Sequence, residues 1–283
     1  MNTNARAPAA LLAGTPDRRP VLILIADDAP AHFVFDALLG ASRELGFAGL
    51  FSTLIPVSAS RPLDGPALAS MDPAGILLLA LPGLPDQQTT LRGLQIPCVQ
   101  TWSAVDVADS AITPDNVLGG RMAARHLAAR KYSKVACISG DSVWEAERRT
   151  GFLAEASTLG MEVAADVVQS GLNTLQDGRQ AFLRLLTTYT LFDAAFCCGD
   201  HSTAATVSEA HNRELVVPQD LAILGFSDNG DAAQWVPGLS TVGVDAERLG
   251  GLAGRLLLDR MAGRREAGQR DLVPPELTAG ISS

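Results

Sequence analysis

Basic residues, and lysine above all, are scarce in this sequence. Only Lys131 and Lys134 occur, and 22 Lys and Arg against 31 Asp and Glu give a formal net charge of -9 at pH 7. Nucleic-acid-binding modules usually carry an excess of Lys and Arg on one face. The acidic chain is therefore not expected to bind DNA or RNA by itself.

Long apolar runs are missing as well. The stretch "AGILLLALPG" is short and interrupted by proline, whereas a helix that crosses a bilayer needs about 18 or more apolar residues. The amino end, "MNTNARAPAALLAGTPDRRP", lacks the basic start and uninterrupted apolar core of a secretion signal. We expect a cytoplasmic protein with no membrane partner.

The sequence has few cysteines and none in a metal-binding pattern. Cys98, Cys137, Cys197 and Cys198 show neither CxxC spacing nor histidines at zinc-ligand offsets. Such cysteines are typical of reduced, mostly buried thiols in a cytosolic protein. The prediction is that the chain has no metal site and no cofactor.

The common catalytic motifs are also absent. The chain contains no GxGxxG, GxxxxGK[ST], GxSxG or HExxH. His32 and His201 lie at loop-to-helix junctions where a general base could act, but no Ser/His/Asp or Cys/His set is recognisable. We therefore predict no catalytic residue, and an enzyme of unrecognised type is the weakest of the functional alternatives.

The residues that are present alternate between two periodicities. Apolar runs of strand length are each followed by a segment with helical spacing, which is typical of a parallel sheet covered by helices on both faces. Two similar α/β halves are predicted to follow one another. The predicted strands are Val21 to Ala26, Gly49 to Ile55, Gly75 to Ala80, Ile96 to Trp102, "KVACIS", "EVAADVV", "DAAFCC" and "LAILGF".

Polar clusters lie at the carboxyl ends of five of these strands: "TW" ends the fourth strand, and "ADDAPAHF", "SGDSVWEAERR", "CGDHS" and "SDNGD" follow four others. In open α/β sheets, ligands bind beyond the carboxyl ends of the strands, where helix amino ends offer free N–H groups. Any one of these loops could be an ordinary connection. Five of them together favour a ligand site.

Three blocks carry a resemblance to a known family. These are "TPDNVLGGRMAARHLAARKYSKVACISG", "RRTGFLAEASTLGMEV" and "VVPQDLAILGFSDNGDAAQWVPGLSTVGVDAERLGGLAGRLLLDRMAG". In order and content they resemble the lactose repressor family (LacI/GalR), and the similarity covers the chain from about Pro20 to its end. The resemblance implies an α/β fold of two similar Rossmann-like subdomains, each a parallel sheet flanked by helices, with a ligand cleft between them.

The resemblance also implies a division of the chain. Residues 1–19 are expected to be a disordered linker remnant, residues 20–112 plus 245–270 the N-terminal subdomain, and residues 113–244 plus 271–283 the C-terminal subdomain. Family members begin with a helix-turn-helix head that this sequence does not show. Operator DNA would therefore be bound only through the missing helix-turn-helix domain of a full-length protein.

Several residues match positions that line the family's effector site. Arg148 matches an effector-binding arginine, or else is a solvated arginine at a helix start. Asp200 matches the acid that opens a helix, or else is an N-cap alone. The aromatic residues could wall the site or pack in the core. The predicted ligand-binding residues are Phe33, Trp102, Trp144, Arg148, Asp200, Ser227 and Asp228.

The sequence departs from the family pattern at three positions. Ser227 replaces the first aspartate of the family's "GFDD", Gly199 stands where asparagine is usual, and Gly280 stands where arginine is expected. The stretch "CVQTWSAVDVADSAITPDN" resembles the gluconate-operon-repressor subgroup. The effector is thus predicted to be a sugar or a sugar acid.

The resulting prediction is an effector-binding and dimerisation domain of a LacI-type transcriptional regulator, acting as a homodimer. The alternative is a sugar-binding protein of a transport system, which the amino end does not favour because it lacks a secretion signal.

Overall fold

The structure, a computed structural model, describes residues 19–26, 31–58, 61–79, 85–102, 107–172, 174–187, 191–227 and 238–283. Strands and helices alternate along most of this part of the chain. They are β1 (Val21–Ala26), α1 (Ala31–Phe47), β2 (Ser52–Val57), α2 (Gly65–Ser70), β3 (Gly75–Leu79), α3 (Pro85–Leu94), β4 (Cys98–Thr101), β5 (Ser110–Pro114), α4 (Asn116–Ala129), β6 (Lys134–Gly140), α5 (Val143–Thr158), β7 (Glu162–Gln169), α6 (Leu175–Leu186), β8 (Ala194–Cys197), α7 (Asp200–Asn212), β9 (Ala222–Phe226), β10 (Ser240–Gly243), α8 (Ala246–Met261), β11 (Arg270–Val273) and β12 (Glu276–Thr278).

These elements belong to two compact units, each built on a six-stranded sheet. Unit 1 comprises the chain up to Thr113 and Ala246–Asp271, and unit 2 comprises Pro114–Asp245 and Leu272–Ser283. The strand order is β11-β5-β4-β3-β1-β2 in unit 1 and β12-β10-β9-β8-β6-β7 in unit 2. The predicted fold class, two mostly parallel sheets flanked by helices, is confirmed. The predicted subdomain bounds stay a prediction.

Alternating side chains of the strands supply a core on each face of the sheet. In unit 2, Val135 and Cys137 of β6 pack with Phe152 of α5 on one face. Their neighbours Ala136 and Ile138 pack on the other face, in a cluster that includes residues of α6 and α7. A parallel strand buried on both faces reads as a continuous apolar run, which is why "GILLL" and "AILGF" could be recognised from sequence.

Helix starts are fixed by short polar side chains. Asp115 Oδ1 accepts from the Leu118 N–H of α4 at 2.9 Å, and Ser142 caps α5. Thr174 and Asp177 form a capping box at the start of α6. Each cap satisfies an N–H group that the helix leaves without an internal partner, so the strand-to-helix turns are sharply defined.

Some strands differ from the sequence interpretation. The strands β5 (Ser110–Pro114), β10, β11 and β12 are not among the predicted ones. These strands have three to five residues, and β5 and β12 also pair with segments far away in the chain, as in the 2.8 Å bond from Ala111 N–H to Gln269 O. β2 begins at Ser52 and not at Gly49, because Gly49 has a left-handed φ of 77° after α1.

None of the helices in these described ranges is long and apolar enough to cross a lipid bilayer.

The helix pairs that cover one face of each sheet touch through glycine. In unit 1 a methyl group on Gly250 of α8 would overlap the Ala37 carbonyl oxygen of α1, and one on Gly40 would overlap the Glu247 carbonyl oxygen. In unit 2 Gly120 of α4 meets the Arg148 carbonyl in the same way. Because backbone rather than a flexible side chain is in contact, neither helix can yield without moving as a whole.

A pair of adjacent glycines allows this contact to be tested. Gly250→Ala should lower the free energy of unfolding of unit 1 by about 1 to 3 kcal/mol, the usual range for overpacking. Gly251→Ala should leave it unchanged or raise it by up to about 1 kcal/mol, because its nearest neighbour is the Gly40 carbonyl oxygen at 3.7 Å. Urea unfolding of both variants measures the difference, and equal effects would contradict the contact.

Candidate functional site

Arg148 lies in the second turn of α5, and its side chain is buried at 3% exposure. Its Nε donates to Asn116 Oδ1 at 2.9 Å, and its Nη1 donates to the Cys198 carbonyl oxygen at 2.9 Å. The guanidinium carbon lies 3.6 Å from the centroid of the Phe226 ring. The alternative of a solvated arginine at a helix start is therefore wrong.

The orientation of Asn116 is itself fixed. Its Nδ2 donates to Glu147 Oε2 at 2.9 Å, which leaves Oδ1 to face Arg148. Asn116 opens α4, Arg148 and Glu147 belong to α5, Cys198 follows β8, and Phe226 ends β9. One guanidinium thus joins two helices to the carboxyl ends of two adjacent strands, and its plane can hardly rotate.

Glu145, one turn before Arg148, is a residue that the sequence analysis missed. Its side chain is 8% exposed, and its Oε2 accepts a short hydrogen bond from the Gly140 N–H at the end of β6. A Cβ added at Gly140 or at Gly199 would come within 3.0 Å of the carboxylate. The two glycines, which follow neighbouring strands, therefore leave the space that this carboxylate fills.

Burial raises the pKa of the Glu145 carboxyl above its ordinary value of 4.5. The Gly140 N–H and the positive charge of Arg148 oppose this shift, whereas the negative charges of Asp200 and Asp141 add to it, so the pKa stays raised. Desolvation therefore outweighs the favourable contacts, which is the usual result when a carboxylate loses water without gaining a full set of donors.

Asp200 is the first residue of α7 and is half-buried. The N-cap of α7 is Gly199, whose carbonyl oxygen accepts from Ser202 Oγ at 2.9 Å. The alternative that Asp200 serves only as an N-cap is therefore wrong. Its negative charge acts on Glu145, so both acids lie at the same edge of the sheet.

Two buried hydroxyls at this edge make no hydrogen bond within the described ranges. Ser227, 5% exposed, follows β9 and donates its N–H to the Val242 carbonyl at 2.9 Å, but its Oγ has no partner there. The Oγ of Ser139, in β6, has none either. Buried polar atoms are nearly always paired in native structures, so both hydroxyls keep hydrogen-bonding capacity that the described part of the chain does not use.

The remaining predicted residues are less closely connected to this edge. Trp144 is partly exposed in the first turn of α5. Trp102 follows β4 in unit 1, is 2% exposed and has a left-handed φ of 63°, an uncommon backbone state that concentrates at ligand sites. The Phe33 side chain and Asp228 lie outside the described residues, so their roles stay predictions.

The cysteines near the site are buried and free. The Sγ atoms of Cys137 and Cys198 are 3.7 Å apart, and the Cys197 Sγ contacts Thr206 Oγ1 at 3.4 Å. Burial raises the pKa of the Cys197 thiol to about 12 and raises that of Cys198 as well. Thiols with such pKa values are protonated at neutral pH and are poor nucleophiles.

Arg148, Glu145, Asp200 and Ser227 thus gather at the carboxyl ends of β6, β8 and β9, which are adjacent in the unit 2 sheet. Residues 124–283, more than half of the chain, match the family model described as "Periplasmic binding protein-like domain". The chain belongs to the periplasmic binding protein-like domain family.

The relatives of this family member are transcriptional regulators. It is 32% identical over 184 residues to the HTH-type transcriptional repressor PurR of Serratia proteamaculans, a match that covers 63% of this chain and 53% of the repressor. The chain thus spans about half the length of the curated relatives it matches. The predicted resemblance to LacI/GalR effector-binding domains is confirmed, whereas the gluconate-operon-repressor subgroup stays a prediction.

Solved structures agree on the fold. The transcriptional regulator CelR in complex with cellobiose superposes with a TM-score of 0.81 at 25% identity, covering 95% of this chain and 86% of CelR. The Lac repressor bound to ONPG superposes with a TM-score of 0.79 at 18% identity, covering 94% of this chain and 83% of the repressor. At that identity the Lac repressor supports the fold alone.

The raised pKa of Glu145 predicts a specific pH dependence of stability. Because the folded protein binds this proton more tightly than the unfolded chain, stability falls as the pH rises from 4.5 through the raised pKa. Glu145→Gln should therefore raise Tm at pH 7.5 by about 2 °C, the size of a change near 1 kcal/mol. The gain should shrink as the pH falls towards 4.5.

The control is Glu162→Gln, at an exposed carboxylate that pairs with Lys134. Thermal unfolding by circular dichroism across the pH range compares the three proteins. A Glu145→Gln variant whose Tm differs from wild type by the same amount at every pH would show that the carboxyl does not titrate with folding.

Proposed function

We propose that this chain is the effector-binding domain of a LacI/GalR-type transcriptional regulator, and that its effector is a small polyhydroxylated molecule, a sugar or a sugar acid. The buried Arg148 carries the proposal. Its guanidinium is held in one orientation by Asn116, Cys198 and Phe226, which is the preorganisation that selective binding of a small polar ligand requires.

The chemistry of the surrounding groups suits sugar hydroxyls, which both donate and accept hydrogen bonds. Arg148 supplies N–H donors, Glu145 and Asp200 supply carboxylate acceptors, and the Ser227 hydroxyl can act in either sense. The partly exposed indole of Trp144 suits the apolar face of a sugar ring. The cellobiose in the CelR complex supports a sugar as the ligand class.

The proposed role is regulation without catalysis. Burial raises the pKa of the Cys197 and Cys198 thiols, which makes both poor nucleophiles, and the matched relatives are transcriptional repressors. Ligand binding would shift the population of conformations of the chain, and this requires different affinities for two conformations. Operator DNA would be bound by a helix-turn-helix domain of the whole regulator and not by this acidic chain.

The binding site can be tested with two adjacent arginines of α5. Arg148→Ala should weaken binding of a responsive sugar by about 1.5 to 3 kcal/mol, the range for hydrogen bonds to a charged group. Arg149→Ala is the matched control, because Arg149 pairs with Asp166. A thermal-shift screen of sugars and sugar acids identifies the ligand. Isothermal titration calorimetry, at a temperature below the melting temperature of each variant, then compares their affinities for it.

Wild-type binding with equal loss in both variants would contradict a specific role for Arg148. A screen in which no sugar or sugar acid binds would contradict the proposed ligand class.

The proposed homodimer rests on an apolar surface at one edge of each sheet. In unit 1, Phe51, which precedes the edge strand β2, is 77% exposed, and Phe47 and Leu54 are also exposed. In unit 2, Val163 and Val168 of the edge strand β7 are exposed. Exposed apolar side chains beside an unpaired strand edge favour coverage by a partner, and a second copy of this chain is the proposed partner.

The double substitution Phe51→Asp, Leu54→Asp should convert a dimer into a monomer of 29.6 kDa, because two carboxylates would be buried in the interface. Leu175→Asp, at an exposed leucine that begins α6, should keep the dimer mass. Sedimentation equilibrium at micromolar concentration measures both. A wild-type monomer would contradict the proposed homodimer. A double variant that remains dimeric would show that the interface lies elsewhere.

A further inference from the structure

The Glu145 carboxylate has capacity for a ligand that its own surroundings do not use. Its Oε2 accepts from the Gly140 N–H, while its Oε1 accepts no hydrogen bond from the part of the chain that the structure describes. A carboxylate can accept about four hydrogen bonds, and this one is more than nine-tenths buried. A buried acceptor of this kind favours a donor that comes from outside the protein.

The position of Glu145 depends on two glycines. A Cβ at Gly199 would lie 3.0 Å from Oε1, and one at Gly140 would lie 3.0 Å from Oε2. Gly199 is the position where the resembled family usually has asparagine. An asparagine amide both donates and accepts hydrogen bonds, and residue 199 lacks one. The adjoining space is filled by the Glu145 carboxylate, which only accepts when it is ionised.

The charges around Glu145 do not neutralise it. Asp141 faces it from the loop after β6, Asp200 from α7, and Arg148 from its own helix. Two nitrogens of Arg148 already donate to Asn116 and to the Cys198 carbonyl. Glu145, Asp141 and Asp200 are thus three acids beside one arginine, whose orientation the protein fixes. A negatively charged group that approaches Glu145 would therefore be repelled.

We infer that Glu145 determines the charge of the effector: its carboxylate accepts a hydrogen bond from a hydroxyl or amino group, so the site takes a neutral or amino sugar in preference to a sugar acid. The inference rests on the proposed function. The buried Ser139 and Ser227 hydroxyls, which lack partners within the described ranges, are independent evidence that a polar molecule meets this edge.

Matched hexoses test the inference. The probes are D-glucose, D-glucosamine and D-glucuronate, with the corresponding galactose series, measured by calorimetry at pH 7.5. Wild type should bind a neutral or amino member at least about tenfold more tightly than the uronate, the factor that one charge-assisted hydrogen bond supplies. Glu145→Gln should lose most of this preference, because the amide also donates.

The control is Glu155→Gln, on the same helix at a carboxylate that pairs with Arg125, and it should keep the wild-type preference. A second measurement separates ligand contact from a structural role. Affinity for the neutral or amino sugar should fall as the pH is lowered towards 5 in wild type and should change much less in Glu145→Gln.

The outcomes distinguish the two proposals. A wild type that prefers the uronate, or a Glu145→Gln variant that keeps both the preference and the pH dependence, overturns the inference and leaves the sugar-binding proposal standing. A wild type that binds neither a member of this panel nor any compound of the wider screen of sugars and sugar acids overturns both. Weakened binding in Arg148→Ala, with altered selectivity in Glu145→Gln, supports both.

Discussion

The buried guanidinium of Arg148 is the constraint on which the candidate site depends. Removing a cation from water is costly unless its donors are satisfied, and here Asn116, the Cys198 carbonyl and the face of Phe226 surround it. These partners come from α4, the end of β8 and the end of β9. The same contacts that stabilise the charge therefore position two helices against the carboxyl edge of the sheet.

That edge is built from backbone as much as from side chains. Gly120 lets α4 approach the Arg148 carbonyl closely, and Gly140 and Gly199 leave room for the Glu145 carboxylate. Larger residues at these positions would separate the helices or displace the acid. Glycine at a strand end thus acts on ligand chemistry indirectly, because it decides which neighbouring side chain occupies the space.

Much of the fold could be predicted because the central strands appear in the sequence as short, continuous apolar runs. β1 was predicted with its observed bounds, Val21–Ala26, since an apolar run acts within a few positions. β5 and β12 could not be predicted in this way. They are short, and pairing with strands distant in sequence, rather than their own propensity, makes them strands.

The candidate site shows the same division between local and distant information. Arg148 could be proposed from a motif, but its burial depends on Asn116 and Cys198, which approach only in the folded unit. Glu145 had no motif of its own. The polar cluster "SGDSVWEAERR" contains it without singling it out. Its importance comes from Gly140, five residues away, and from Gly199, after another strand, and only the folded unit brings these two glycines together.

Arg148 and Glu145, both on α5, consequently differ in kind. Arg148 satisfies protein groups as well as offering donors, so part of its effect on binding is an effect on folding. Glu145 gains one hydrogen bond from the protein and remains destabilised by burial. A residue that weakens the folded state without satisfying its own acceptors is typical of a functional position. The ligand specificity of Glu145 therefore depends on the carboxylate acceptor that the described part of the protein leaves without a hydrogen bond.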